Sequence, residues 1–397
     1  MSQVTDQESL YYLQVVRRQP VVIVKGEGTK VWDEDGKEYL DFTAGWAVNN
    51  LGHCHPVVAD AVAEQARTLM QTSNQFYTVP QVKLAKLLVE NSCMDRVFVC
   101  NSGAEAIEGC IKTARKYGRL NRDGAYEIIT ALDSFHGRTL AGVSATGQPH
   151  YQEAWQPLLP GFVHVPYNDI EAIRKATTDN TCAVMLEPVQ GEGGVNVPDE
   201  DYLKEVRAWC DANNLLLIFD EIQVGVGRLG TLWGYETFGV EPDVMALAKG
   251  LGGGVPIGAF LMKEHAAVLS PGDHGSTFGG NALTCAAAAA VMDYIVENDV
   301  VKHAAEMGVL LKQGLEKLRD KLEFVAGVRG KGLLLGLEFV DDMAAAAVAA
   351  CNEEGLLLNP VRPNILRFMP PLTITPDEIE QGLQRLENGL VKARAPQ

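Results

Sequence analysis

Short apolar runs alternate with longer segments of mixed polarity from about residue 57 to residue 290. The runs at 97–100, 127–131, 182–186, 215–219, 244–248 and 259–262 are bounded by polar or glycine-containing stretches. Their shortness predicts strands rather than helices. The segments at 57–70, 82–91, 104–117, 200–213 and 281–297 are long enough for helices. Apolar strands separated by helices predict an α/β fold with a mainly parallel central sheet. Ligands in such sheets sit beyond the carboxyl ends of the strands. Asn101-Ser102-Gly103, Glu187-Pro188, Asp220-Glu221 and Lys249-Gly250 all fall at such ends. Four polar groups at one sheet edge predict a convergent pocket.

The pattern changes after residue 296. A helix is expected over 301–321, then an apolar run with glycines at 330–340, a helix at 343–354, a strand at 365–369 and a last helix after Thr375-Pro376-Asp377. This is a smaller α+β unit. The stretch 31–40, with Gly36 between two apolar runs, reads as a hairpin. A prior of roughly 150 residues per domain gives about two domains. The expected division is a large domain at 56–295 and a small one built from 1–55 and 296–397.

Composition narrows the partners. The net charge of −17 disfavours nucleic acid and anionic membranes, both of which need a basic surface. The eight cysteines are scattered without a C-x-x-C pair, as in a reduced, cytoplasmic protein. The polar start, with Asp6 and Glu8, lacks the apolar region of a secretory leader. No apolar stretch approaches the length of a membrane span. No metal site is expected, because His53-Cys54-His55 has no partner pair at zinc spacing.

The richest local signal is Ala248-Lys249-Gly250-Leu251-Gly252-Gly253-Gly254. A lysine at a strand end beside close-approaching backbone is a candidate Schiff-base nucleophile. Asp220 stands 29 residues upstream, at the end of another strand. An aspartate there could hold the pyridinium nitrogen of pyridoxal phosphate, so the pair suggests that cofactor. Ser102, between a strand and a helix, could open a phosphate site at the helix start; an ordinary helix cap is its bland reading. Phe135 could stack on a cofactor ring and Arg138 could clamp a carboxylate. Gly225-Val226-Gly227-Arg228-Leu229-Gly230 matches the dinucleotide pattern G-x-G-x-x-G. No helical pattern opens there, so the match carries little weight.

Seven motifs occur together and in order: Asn101-Ser102-Gly103-Ala104-Glu105-Ala106, Phe135-His136-Gly137-Arg138-Thr139, Glu187-Pro188-Val189-Gln190-Gly191-Glu192-Gly193-Gly194, Phe219-Asp220-Glu221-Ile222-Gln223, the lysine–glycine stretch, Gly275-Ser276-Thr277-Phe278-Gly279-Gly280-Asn281 and Leu366-Arg367-Phe368-Met369-Pro370-Pro371. In them the chain resembles the class III aminotransferases of fold type I, and most the acetylornithine, succinylornithine and ornithine branch. The resemblance runs from about residue 22 to the last helix. It implies a pyridoxal-phosphate enzyme that moves the terminal amino group of N2-acetylornithine, or a similar ω-amine, to 2-oxoglutarate, yielding a semialdehyde and glutamate. Lys249 would hold the cofactor covalently and Asp220 would keep its ring nitrogen protonated. Gln223 would bond the ring hydroxyl, Phe135 and Ile222 would sandwich the ring, and His136 and Glu187 would adjoin it. Ser102, Gly103 and Ala104 would bind the phosphate. Thr277 would reach the phosphate of a neighbouring subunit, which implies a homodimer with shared sites.

For the substrate, the resemblance implies Ser276 nearby and Arg138 on a distal carboxylate. Arg367 would grip the α-carboxylate of glutamate, and Glu192 would pair with Arg367 when a terminal amine is bound. Trp46 departs from the family pattern near the substrate entry, and Val224 and Leu229 replace polar residues common in the family after the motif that ends at Gln223. Such a bulkier, more apolar wall also suits a broad ω-amine transaminase acting on putrescine, 4-aminobutyrate or non-natural amines.

Overall fold

The computed structural model describes residues 3–394; the outermost residues of the expected small domain, 1–2 and 395–397, lie outside them. A glycine-turned antiparallel set, β1 (Ile23–Glu27), β2 (Lys30–Asp33) and β3 (Glu38–Asp41), opens the chain. The central sheet follows with β4 (Arg96–Cys100), β5 (Glu127–Ala131), β6 (Phe162–Val165), β7 (Thr181–Leu186), β8 (Leu216–Asp220), β9 (Val244–Leu247) and β10 (Gly258–Met262). Its order is β4-β10-β9-β8-β7-β5-β6. Only β10 runs against its neighbours, pairing antiparallel with β4 and β9. The remaining pairs are parallel, so the mainly parallel sheet read from the sequence is present.

Alternation within the strands explains why the sheet is covered on both faces. Ile129, Val184, Leu186, Leu217, Phe219, Met245 and Leu247 pack into one apolar cluster. Their neighbours Ile128, Ala183, Met185, Leu216, Ile218, Val244 and Ala246 pack into another. Successive side chains point to opposite faces, and both faces are dry, so the strands read as continuous apolar runs. The helix Gly103–Asn121 covers the second face. The alanine-rich helix Ala282–Glu297 lies on the first.

The last third builds a second antiparallel sheet from β11 (Val325–Lys331), β12 (Leu334–Phe339), β14 (Asn359–Arg362) and β15 (Ile365–Phe368). The two-residue β13 (Leu356–Leu357) crosses to the N-terminal set and pairs parallel with β3. The apolar run at 330–340 is therefore not one element. Gly332, at φ +53°, ends β11 and turns the chain into β12. The strands β1, β6, β13 and β14 had no counterpart among the expected elements; β6 is an edge strand with His164 inside it, β14 is interrupted by Pro360, and β13 is too short for a pattern to show.

Candidate active site

The carboxyl ends of β4, β7, β8 and β9 and the loop after β5 converge on a cavity of about 350 Å³. Ser102, Gly103, Ala104, Phe135, His136, Glu187, Glu192, Asp220, Ile222, Gln223 and Lys249 all line it. Arg367 enters from β15 and lies against two of these residues.

Asp220 is the last residue of β8 and is buried. One carboxylate oxygen accepts the Ile222 N–H at 3.1 Å, and the other meets His136 Nδ1 at 2.8 Å. Burial disfavours a charged His136, but its bond to Asp220 and the charges of Asp220 and Glu187 outweigh that, raising its pKa. Glu187, just beyond β7, accepts the N–H of Phe135 at 3.0 Å and of Gly191 at 3.3 Å. Burial pushes its carboxyl up to about 7 against the pull of His136. This one side chain thus ties the loop bearing Phe135 to the loop bearing Glu192.

Lys249 follows β9 with φ +40°, a left-handed conformation that is strained for a lysine. Burial lowers the pKa of its amine, with Glu192 opposing and Arg367 assisting. Such a shift favours the uncharged form that a nucleophile or base requires.

Arg367 is wholly buried. Its Nη1 donates to Glu192 at 2.7 Å and to Gln223 Oε1 at 3.0 Å. Burial raises the Glu192 pKa, but Arg367 and Lys249 outweigh it and hold the carboxylate below its ordinary range. Among the described residues, Arg367 Nε and Nη2, Gln223 Nε2 and His136 Nε2 are buried without a hydrogen-bond partner. Buried donors left open in this way are costly and need a partner from outside the chain.

The cavity fits a flat, phosphate-bearing ring. Phe135 and Ile222 both line it. At the helix start, Ser102 Oγ accepts the Glu105 N–H at 3.2 Å. The N–H groups of Gly103 and Ala104 have no intrahelical acceptor and can take an anion. A Cβ on Gly103 would stand 2.9 Å from Ile222, so glycine keeps that space open. Asp220 offers a buried carboxylate for a ring N–H, and Gln223 Nε2 offers a donor for a ring oxygen.

Other expected residues stand elsewhere. Arg138 is exposed, with its guanidinium 4.0 Å from the centre of the Tyr151 ring and 5.3 Å from that of Phe135. Ser276 Oγ accepts from Asn101 Nδ2 at 3.0 Å, beside the phosphate loop. Thr277 is exposed, and Trp46 is 56% exposed on a turn with φ +64°. None of the four lines the cavity. Val48, Asn101 and Val255-Pro256-Ile257 line it without having been singled out as site residues. Asn101 belongs to a motif that carried a signal; the apolar wall carried none.

Comparison with known proteins agrees with this geometry. The family described as Aminotransferase class-III matches residues 11–390. The chain belongs to the class-III aminotransferases. It is 50% identical over 388 residues to an acetylornithine aminotransferase of Caldanaerobacter subterraneus, covering 98% of this chain and 99% of that one. It is 52% identical to an acetylornithine aminotransferase of Methanocaldococcus jannaschii, covering 96% of each. The crystal structure of an ornithine aminotransferase from Toxoplasma gondii superposes with a TM-score of 0.94 at 36% identity, covering 98% of this chain and 94% of that one. The fold is that of the fold type I enzymes, and this aminotransferase depends on pyridoxal phosphate.

Proposed function

We propose that this aminotransferase moves the terminal amino group of N2-acetylornithine to 2-oxoglutarate, giving the semialdehyde and glutamate. The observation that carries the reading is Arg367. A wholly buried arginine, paired with Glu192 yet keeping two open donors, suits a site that must accept a carboxylate beside the reacting carbon in one half-reaction and a terminal amine with none there in the other. An unpaired buried arginine would cost several kcal/mol, so a carboxylate that moves aside when substrate brings its own is physically sensible. The similarity to acetylornithine aminotransferases supports the same substrate.

When bound, pyridoxal phosphate supplies a carbon that takes up the amino group and a ring that stores the electron pair of the broken C–H bond. We assign the protein's part as follows. Lys249 would hold the cofactor and, with its amine free, would move the proton from the substrate carbon. Its lowered basicity suits that transfer near neutral pH. Asp220 would keep the ring nitrogen protonated, and His136 orients Asp220. Gln223 Nε2 would donate to the ring hydroxyl. Phe135 and Ile222 would sandwich the ring, and Ser102, Gly103 and Ala104 would take the phosphate. Arg138, freed from Tyr151, meets a distal carboxylate.

We infer a homodimer in which Thr277 completes the partner's phosphate site. Thr277 points outward beside Phe278, which is 63% exposed, and Tyr77 is 98% exposed. Trp46 and Ser276 then belong to the substrate mouth. We place the enzyme in the cytoplasm, with arginine biosynthesis as its setting. We divide the chain into a large domain, 56–295, and a small domain from 1–55 and 296–397.

Initial rates measured over a grid of N2-acetylornithine and 2-oxoglutarate concentrations test the reading. Parallel double-reciprocal plots are expected. Turnover with putrescine or 4-aminobutyrate but not N2-acetylornithine would move the function to a broad ω-amine transaminase.

A further inference from the structure

The G-x-G-x-x-G stretch at 225–230 has no part in the scheme above, yet Arg228 at its centre is wholly buried. Its Nη1 donates to the carbonyls of Leu333 at 3.0 Å and Pro370 at 2.6 Å, and its Nη2 to Asn50 Oδ1 at 2.8 Å. No ion pair reaches it among the described residues, and burial lowers its pKa. A buried cation held only by neutral acceptors is an expensive way to fill space.

Its acceptors explain its position. Leu333 immediately precedes β12, and Pro370 lies two residues past β15. These strands are paired, with Gly336 opposite Arg367 and Leu335 opposite Phe368. Continuing that register puts Leu333 opposite Pro370, so one guanidinium nitrogen bridges the open end of the ladder that carries Arg367. The same loop touches that strand a second time, where Gln223 Oε1 accepts from Arg367. Asn50 extends the junction. Its Nδ2 donates to Val226 O at 2.8 Å, and its carbonyl accepts the Leu372 N–H at 2.7 Å. A Cβ on Gly250, beside Lys249, would stand 2.1 Å from Asn50 Nδ2.

The glycines fit this arrangement rather than a dinucleotide. Gly227 and Gly230 have φ of +90° and +85°, and a Cβ on either would press on Leu372 or Ala305 at 2.7 and 2.9 Å. The sequence pattern is a tight wrap that delivers one arginine into the junction.

We infer that Arg228, with Asn50, is a positioning residue that sets Arg367 against Gln223 and so governs carboxylate recognition. This rests on the reading of Arg367 as the carboxylate-binding residue. Only a planar fork reaches both carbonyls and Asn50 together; a lysine keeps the charge and loses the geometry.

The test uses cofactor-loaded wild type, R228K and N50A. It measures the dissociation constant of glutarate, an unreactive dicarboxylate, by calorimetry, alongside the melting temperature. Misplacement of Arg367 should weaken glutarate about tenfold in R228K. N50A, which removes the Arg228 acceptor and the donor to Val226 O but keeps Arg228, should weaken it about threefold and serves if R228K does not fold. A lowered melting temperature with an unchanged glutarate constant would overturn the inference, since a merely structural role predicts that pattern. Wild type that binds no glutarate would overturn it as well. Wild type that binds glutarate but transfers no amino group would contradict the proposed function and leave this comparison standing.

Discussion

The two ends of the cavity are built differently. At the cofactor end, Asp220, Glu187, Lys249 and the Ser102 turn stand at strand ends along one edge of a single sheet. Both oxygens of Asp220 are engaged, and both oxygens of Glu187 accept backbone N–H groups. At the substrate end, Arg367 comes from the second sheet, Gln223 from the loop after β8 and Glu192 from the loop after β7. There Arg367 keeps two open donors, Nε and Nη2. Satisfied groups hold one geometry. Open groups wait for a partner, and here the partner must change between half-reactions. The cofactor end is therefore fixed and the substrate end poised.

Replacing Arg367 with Ala should divide the two ends most sharply. Catalytic efficiency with glutamate should fall about a hundredfold, roughly 3 kcal/mol, for loss of one partner of a buried charge pair. Pyridoxal phosphate should stay bound, because Lys249, Asp220 and the Ser102 turn lie at the other end. Equal losses in cofactor affinity and glutamate efficiency would break the comparison.

Replacing Glu192 with Ala should have a smaller effect, in one direction. Arg367 would stay unpaired while a terminal amine is bound, so the preference for glutamate over the amine should rise about tenfold. Unchanged preference, measured as the ratio of the two kcat/KM values, would remove Glu192 from the switch.

The smallest effect probes the fixed scaffold behind the cofactor. Glu221 accepts the N–H groups of Gly234 at 2.5 Å and Tyr235 at 2.7 Å, and burial pushes its carboxyl up from 4.5 to about 8. The folded protein then keeps a proton that the unfolded chain has lost. That contribution to stability is full below about pH 4.5 and disappears as pH rises through about 8. Glu221→Gln should flatten this loss in a series of melting temperatures from pH 5 to about pH 8. An identical pH slope in wild type and variant would contradict it.

The contrast also decides what the sequence could show. The cofactor end was legible because each group ends an apolar run, and in a parallel sheet such ends share one edge. Lys249 and Asp220 could be paired from that argument alone. The proximity of Arg367 to Glu192 follows from the docking of β15 against loops from the central sheet, over a sequence separation that no local pattern encodes. Only the family resemblance pointed there. Arg138 shows the reverse case: its motif was legible, but its side chain rests on Tyr151 outside the cavity. Arg228 was hidden within a pattern that suggests nucleotide binding. Its burial becomes visible only when three distant segments are seen to close around it.

The most direct measurement mixes the cofactor-loaded enzyme with N2-acetylornithine alone and follows the cofactor's visible absorption band. A fixed cofactor end and a poised substrate end predict rapid loss of the band with no acceptor present, and its return when 2-oxoglutarate is added. A band that persists with N2-acetylornithine, or one that is lost and does not return with 2-oxoglutarate, would contradict the account.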